Sequence, residues 1–158
     1  MLFRSVAKEN SEKIGVTGRI GFVRSDVFSK LPLEKKFDII VSNPPYIPAA
    51  DIAGLDKDVR QEPRGALDGG DDGLDFYRRI TAEAMEHMTE EGVLAFEVGI
   101  HQAEAVQQLC VDAGFVRTAV RKDYAGIERM VFAVKAAATT PESMSRYEAM
   151  LAEAVREL

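Results

Sequence analysis

FDIIVSNPPYIP, Phe37 to Pro48, decides the fold class. Phe37, Asp38, Ile39, Ile40 and Val41 have strand character and stop abruptly at Ser42-Asn43-Pro44-Pro45-Tyr46. Consecutive prolines donate no backbone hydrogen bond and hold the preceding residue extended. A near-continuous apolar run of this length predicts one strand of a parallel sheet covered on both faces. It ends on a rigid Asn-Pro-Pro-Tyr tip.

Outward from that strand, helical and extended patterns alternate. Upstream, Phe3, Val6, Ala7, Asn10 and Ile14 fall at helical spacing, with Gly15 as a C-cap, and RIGFVRSD predicts a short strand ending at Asp26. Downstream, Ile47 to Gly73 is a long polar loop rich in Gly, Pro and Asp; loops of that length inside a domain usually carry function. Phe76, Ile80 and Ala84 mark a helix to about Met88, GVLAFEV a strand, and Ala103, Val106, Cys110 and Ala113 another helix. GFVRTAVRKD and RMVFAVK predict two closing strands around the loop YAGIE. Pro141 behind Thr140 opens a last helix, with Met144, Tyr147, Leu151, Ala154, Val155 and Leu158 on one face. The pattern predicts an α/β fold with a mostly parallel sheet. In such sheets ligands bind outside the carboxyl ends of strands, where Asp26 and Asn43 fall.

Composition narrows the function classes. The chain has 158 residues, 46% hydrophobic and 29% charged, ordinary for a globular protein able to bury a core. A net charge of −6 without a basic block speaks against tracking duplex nucleic acid, so no direct nucleic-acid partner is expected. The single Cys110 permits no internal disulfide, which suits a reducing cytoplasm. No apolar run approaches the roughly 18 residues of a membrane span. MLFRSVAKEN lacks the apolar stretch and cleavage site of a secretory signal, so neither membrane association nor export is expected.

The tip suits a particular ligand chemistry. A planar NH2 group buried in a site needs two acceptors, since an unmet donor costs roughly 1–3 kcal/mol. The Asn43 side-chain oxygen supplies one and the Pro44 carbonyl, held by Pro45, the other. Tyr46 offers a ring for the flat face of the group and for positive charge nearby. Holding both hydrogens in one plane aims the nitrogen lone pair along the perpendicular, which is catalysis by positioning.

The motifs together resemble a known family. A strand ending in Asn-Pro-Pro-Tyr after RSDVF is similar to class I S-adenosylmethionine-dependent methyltransferases acting on nitrogen. FDIIVSNPPYIP, DVRQEPRGALDGGDDGLDFYRRI, GVLAFEVG and KDYAGIERMVFAV resemble, more narrowly, the HemK/PrmC family of peptide chain release factor N5-glutamine methyltransferases, in order from about Val6 to Lys135. The resemblance implies an incomplete Rossmann-like sheet, the first two strands missing, with an antiparallel C-terminal strand; the helix from Pro141 is extra, beyond where the family usually ends. The resemblance divides the chain into a partial catalytic domain, residues 1–135, and a linker with an amphipathic helix, residues 136–158.

By position, Asn43, Pro44, Pro45 and Tyr46 would hold the glutamine of a Gly-Gly-Gln loop in a class 1 release factor. Asp26 and Val27 would contact the adenine end of S-adenosylmethionine, and Asn43 would lie near its methionine part. For Glu62, Pro63 and Arg64 it implies only a loop beside the release factor. The family's glycine-rich loop has no counterpart here, because Gly15, Gly18 and Gly21 are scattered and no Gly-x-Gly precedes Asn43. Weak cofactor binding and self-association, through unpaired strand edges or the C-terminal helix, are therefore expected.

Other features rank lower. DGGDDGLDFYRR fails as a calcium loop, with Gly70 at its third position and Arg79 where a bidentate Glu is needed, so no metal is expected. A solvated turn into a helix N-terminus, favoured by Asp71, Asp72 and Asp75, is the better reading. Glu97 reads equally as a satisfied core residue or a pocket floor, His87 and His101 as helix-end or surface residues, and Cys110 as a small core hydrophobe. Two alternatives stay open: methylation of an exocyclic adenine or cytosine amine, and a non-catalytic fragment retaining the amide clamp. Seven acidic against three basic residues in the loop from Ile47 to Gly73 disfavour the first.

Overall fold

The computed structural model describes residues 2–135. They divide into two compact units, the first ending at Pro32 and the second beginning at Leu33. In the first, helix α1 (Leu2–Lys13) ends in paired bonds from the Gly15 and Val16 N–H groups back to the carbonyls of Glu12 and Ser11. That is the Schellman closure that a glycine after a helix favours. A single 3-10 turn (Thr17–Arg19) follows.

The strand expected over RIGFVRSD does not form. Ile20 is extended (φ −119°, ψ 128°), but the segment joins no ladder among the described residues. Extended backbone becomes a strand only when a neighbour takes up its N–H and C=O groups.

The second unit is built on a four-stranded sheet. Its elements are β1 (Phe37–Ser42), α2 (Asp75–His87), β2 (Met88–Glu97), α3 (Ala103–Asp112), β3 (Arg117–Lys122) and β4 (Glu128–Val134). Three single 3-10 turns, at Ile52–Gly54, Val59–Gln61 and Arg64–Ala66, punctuate the long loop between β1 and α2. The strand order is β1-β2-β4-β3. β1 runs parallel to β2, with Ile39, Ile40, Val41 and Ser42 beside Val93, Leu94, Ala95 and Phe96.

β1, β2 and β3 run in one direction, as expected of a mostly parallel sheet, and β4 is the reversed C-terminal strand, antiparallel to both β2 and β3. The cause is the turn before β4. The Asp123 carboxylate accepts from the N–H groups of Ala125 and Ile127, each at 2.9 Å, and reverses the chain in a few residues. So short a connection can only return antiparallel, and the hairpin places β4 between β2 and β3.

The core lies on one face of this sheet. Leu94 and Phe96 pair with Ala133 and Val131, so all four share a face, and all are buried. α2 lays Tyr77 on Phe96 edge to face at 5.2 Å, and α3 buries Ala103, Val106 and Cys110. Truncating a fully buried ring such as Phe96 costs about 3–5 kcal/mol. The opposite face is more open. Ile39 (54% exposed) and Val41 (75%) point there, so β1 is an edge strand and not the doubly covered strand its apolar run predicts. The helix expected from Pro141 lies outside the described residues.

Candidate active site

β1 delivers its tip at the carboxyl end of the only parallel strand pair among the described residues. Asn43 is exposed, Pro44 buried, and Pro45 and Tyr46 half-buried. Beyond the tip the chain pairs with its own long loop. Ile47 N–H donates to the Leu67 carbonyl (3.0 Å), Gly69 N–H to the Ile47 carbonyl (2.9 Å), and Ala49 N–H to the Gly70 carbonyl (2.8 Å). This short parallel ladder carries the tip into the DGGDDG turn.

Among the described residues the Asn43 carboxamide has no hydrogen-bond partner, and no donor reaches the Pro44 carbonyl. Both acceptors named from the sequence are thus open. Tyr46 is braced instead: its carbonyl accepts from Gln102 Nε2 at 3.0 Å. The same Nε2 lies 3.4 Å from the Gly73 carbonyl, and Gln102 Oε1 accepts the Gly99 N–H at 3.0 Å. A Cβ on Gly69 would stand 2.8 Å from Tyr46 Cα, so the loop backbone approaches the tip as closely as glycine permits.

Asp26 and Val27 belong to the first unit. Their turn is local: Ser29 N–H donates to the Asp26 carbonyl (3.1 Å), Lys30 N–H to Ser25 Oγ (2.9 Å) and Asp26 N–H to Ser29 Oγ (3.3 Å). Val27 has φ 48°, a left-handed conformation that a β-branched side chain adopts only under strain. Its N–H meets no acceptor among the described residues.

The acidic turn is anchored by cations. Asp72 takes both guanidinium nitrogens of Arg78 and the Leu74 N–H, and these bonds, Arg78 first, hold its pKa down to about 2. Arg64 does likewise for Asp68, lowering its pKa, with help from the Gly70 N–H. Among the described residues no group of three or more His, Cys, Asp and Glu side chains is placed to hold a metal ion.

Glu97 is exposed, one step past the last β1–β2 pair, Ser42 and Phe96, and opposite Met130 of β4, so it is no core residue. Its carbonyl accepts from the Tyr77 hydroxyl at 2.8 Å. Burial drives the Tyr77 pKa above its usual range, with Tyr46 and Glu97 adding to the shift. His101 is exposed, whereas His87 is buried at the end of α2. Cys110 is fully buried, its pKa pushed up to about 12, and packs as a small hydrophobe. Gln102 is the residue that the sequence reading passes over. The available signal was a glutamine standing where a helix normally starts on Ser, Thr, Asp or Asn.

A family model described as an RMKL-like methyltransferase domain matches residues 4–57. The release factor glutamine methyltransferase of Geobacter sulfurreducens is 44% identical over 128 residues, covering 80% of this chain and 44% of that protein. The chain belongs to the HemK/PrmC methyltransferase family. It spans less than half the length of the relative from Geobacter sulfurreducens. Another relative is the ribosomal protein uL3 glutamine methyltransferase of Francisella tularensis. It is 43% identical over 111 residues, which cover 70% of this chain and 35% of that protein. The crystal structure of a methyltransferase from Pyrococcus furiosus aligns with a TM-score of 0.53 at 15% identity, over 84% of this chain and 57% of that one. At that identity the likeness speaks for the fold alone, a partial Rossmann-like α/β domain.

Proposed function

We propose that the chain carries the amide-binding part of an S-adenosylmethionine-dependent enzyme that methylates the N5 nitrogen of glutamine in the Gly-Gly-Gln loop of class 1 release factors, in the cytoplasm. The observation that carries this reading is the pair of open acceptors on the Asn43–Pro44 tip, at the carboxyl end of a parallel strand. Each takes one hydrogen of the glutamine NH2, and the half-buried Tyr46 ring covers its flat face. Pro44 and Pro45 keep the two acceptors from turning away. With both hydrogens held in plane, the nitrogen lone pair stands perpendicular to the amide.

The donor set also fits the cofactor. The Val27 N–H, which meets no acceptor among the described residues, complements a ring nitrogen on one edge of adenine, and Asp26 beside it is the partner the resemblance implies for the adenine end. S-adenosylmethionine, when bound, supplies an electrophilic methyl group on a sulfonium. Residues 1–135 form the catalytic portion in this reading, and residues 136–158 a linker and helix.

The test is transfer of tritiated methyl from S-adenosylmethionine to a release factor, to ribosomal protein uL3 and to oligonucleotides in parallel. Label on the Gly-Gly-Gln glutamine, lost with Asn43→Ala, supports the reading; label on uL3 or on oligonucleotides alone replaces its substrate. No transfer to any of the three favours a non-catalytic fragment.

A second proposal concerns self-association through β1. Its outer edge pairs with no strand among the described residues and exposes Ile39 and Val41, whereas the other edge strand, β3, carries Arg117, Arg121 and Lys122. Charged edges resist pairing and apolar ones invite it. Sedimentation should show a concentration-dependent dimer that Val41→Lys reduces; a dimer insensitive to that change would point to the C-terminal helix instead.

A further inference from the structure

We propose that Gln102 is a positioning residue, whose carboxamide ties Tyr46 to the ends of β2 and the acidic loop and so sets the pitch of the amide-holding tip. The proposal rests on that tip being the amide clamp. Three of the four hydrogen-bonding directions of the Gln102 amide are used: both N–H donors on the carbonyls of Tyr46 and Gly73, and one oxygen lone pair on the Gly99 N–H. Gln102 stands at the N-cap of α3, yet its side chain makes no capping bond to that helix. A Ser, Thr, Asp or Asn in its place would typically stabilise the helix, so a local preference is set aside here for the long-range tie.

Space for the carboxamide is cut by two glycines. A Cβ on Gly73 would stand 2.6 Å from Gln102 Nε2, and one on Gly99 2.6 Å from Oε1. The Gly99 Cβ would also stand 3.0 Å from Tyr46 Cδ2, so the Tyr46 ring rests on the same turn that Gln102 closes. His101, just before Gln102, has φ 68°, a backbone state held against its own preference by the surroundings. The Tyr46 ring, the Tyr46 carbonyl and the acidic loop therefore meet at one side chain.

Gln102→Glu separates the tie from simple packing. The new carboxylate keeps the shape and still accepts from Gly99, but it faces the carbonyls of Tyr46 and Gly73 without a hydrogen. Amide exchange of Ile47, Ala49 and Gly69 in the whole chain should quicken about tenfold at neutral pH, the loss of one good hydrogen bond. As pH falls through the carboxyl range near 4.3, the protonated group regains a donor and the excess exchange disappears. In Gln102→Ala the excess persists at both pH values, and the Gly99 amide joins it.

Unchanged exchange in both variants, an equal rise throughout α2 and α3, or no recovery of Gln102→Glu in acid would each overturn the proposal. In methyl transfer, kcat should fall about tenfold in Gln102→Ala while KM for the release factor changes less than twofold. A rise in KM with kcat unchanged would count against positioning. If the exchange pattern appears but the unaltered chain transfers no methyl group, the tie stands and the glutamine-methylating reading fails.

Discussion

The turn at Asp26 and the tip at Asn43 both follow extended backbone, but they are held by different means. The Asp26 turn is closed by bonds between residues three to five positions apart: Asp26 with Ser29, Ser25 with Ser29 and Lys30. The Asn43 tip depends on partners far along the chain, Gln102 lying 56 residues beyond Tyr46. A turn of the first kind is closed by its own neighbours. A tip of the second kind exists only once the domain has folded, and in return its acceptors are held without spending them.

The severest way to break this contrast is Gly73→Ala. Gly73 has φ +76°, and its Cβ would drive into the Tyr46 carbonyl and Gln102. We expect a loss of about 3 kcal/mol by urea denaturation, from overpacking and backbone strain together. A loss below about 1 kcal/mol would mean that the tip does not lean on the loop. Next is Asn43→Ala, which removes an acceptor but no internal bond. Methyl transfer should drop at least about a hundredfold, with stability changed by less than about 0.5 kcal/mol. A variant that unfolds would show Asn43 to be structural.

Val27→Gly probes the local turn. Relief of the left-handed strain should raise stability by about 1 kcal/mol in thermal or urea unfolding, leaving amide exchange at Ile47 and Gly69 as it was. A destabilised variant would show that the Val27 side chain matters more than its backbone.

The smallest effect is the acid response of the loop. The Asp72 pKa is about 2 in the folded chain against an ordinary 3.8, so its ion pair with Arg78 contributes above pH 4 and is lost as pH falls toward 2. A carboxyl NMR titration should place its midpoint near 2, returning toward 3.8 in Arg78→Met. An unshifted midpoint in that variant would assign the lowering to the backbone N–H groups instead.

Much of the second unit was legible in the sequence. The β1 run, the helix marked by Phe76, Ile80 and Ala84, and the helix marked by Val106 and Cys110 all form where periodicity predicts, because one apolar face per element is a local signal. RIGFVRSD misled for the complementary reason: strand composition promises a strand only if a neighbour is there to pair. The burial of β1 was overestimated on the same logic, since apolar content does not say which strand lies at an edge.

By itself, then, the sequence determined the stiff Asn-Pro-Pro-Tyr ending, the two acceptor groups side by side on it and the alternation of strand and helix, all of which follow from the covalent nature of neighbouring residues. Tertiary structure alone decided that β4 enters between β2 and β3, that Ile39 and Val41 face outward, and that Gln102 grips Tyr46. Those outcomes depend on contacts between distant stretches of chain. No local periodicity encodes such distances; only the closing of the fold brings the groups within hydrogen-bonding reach.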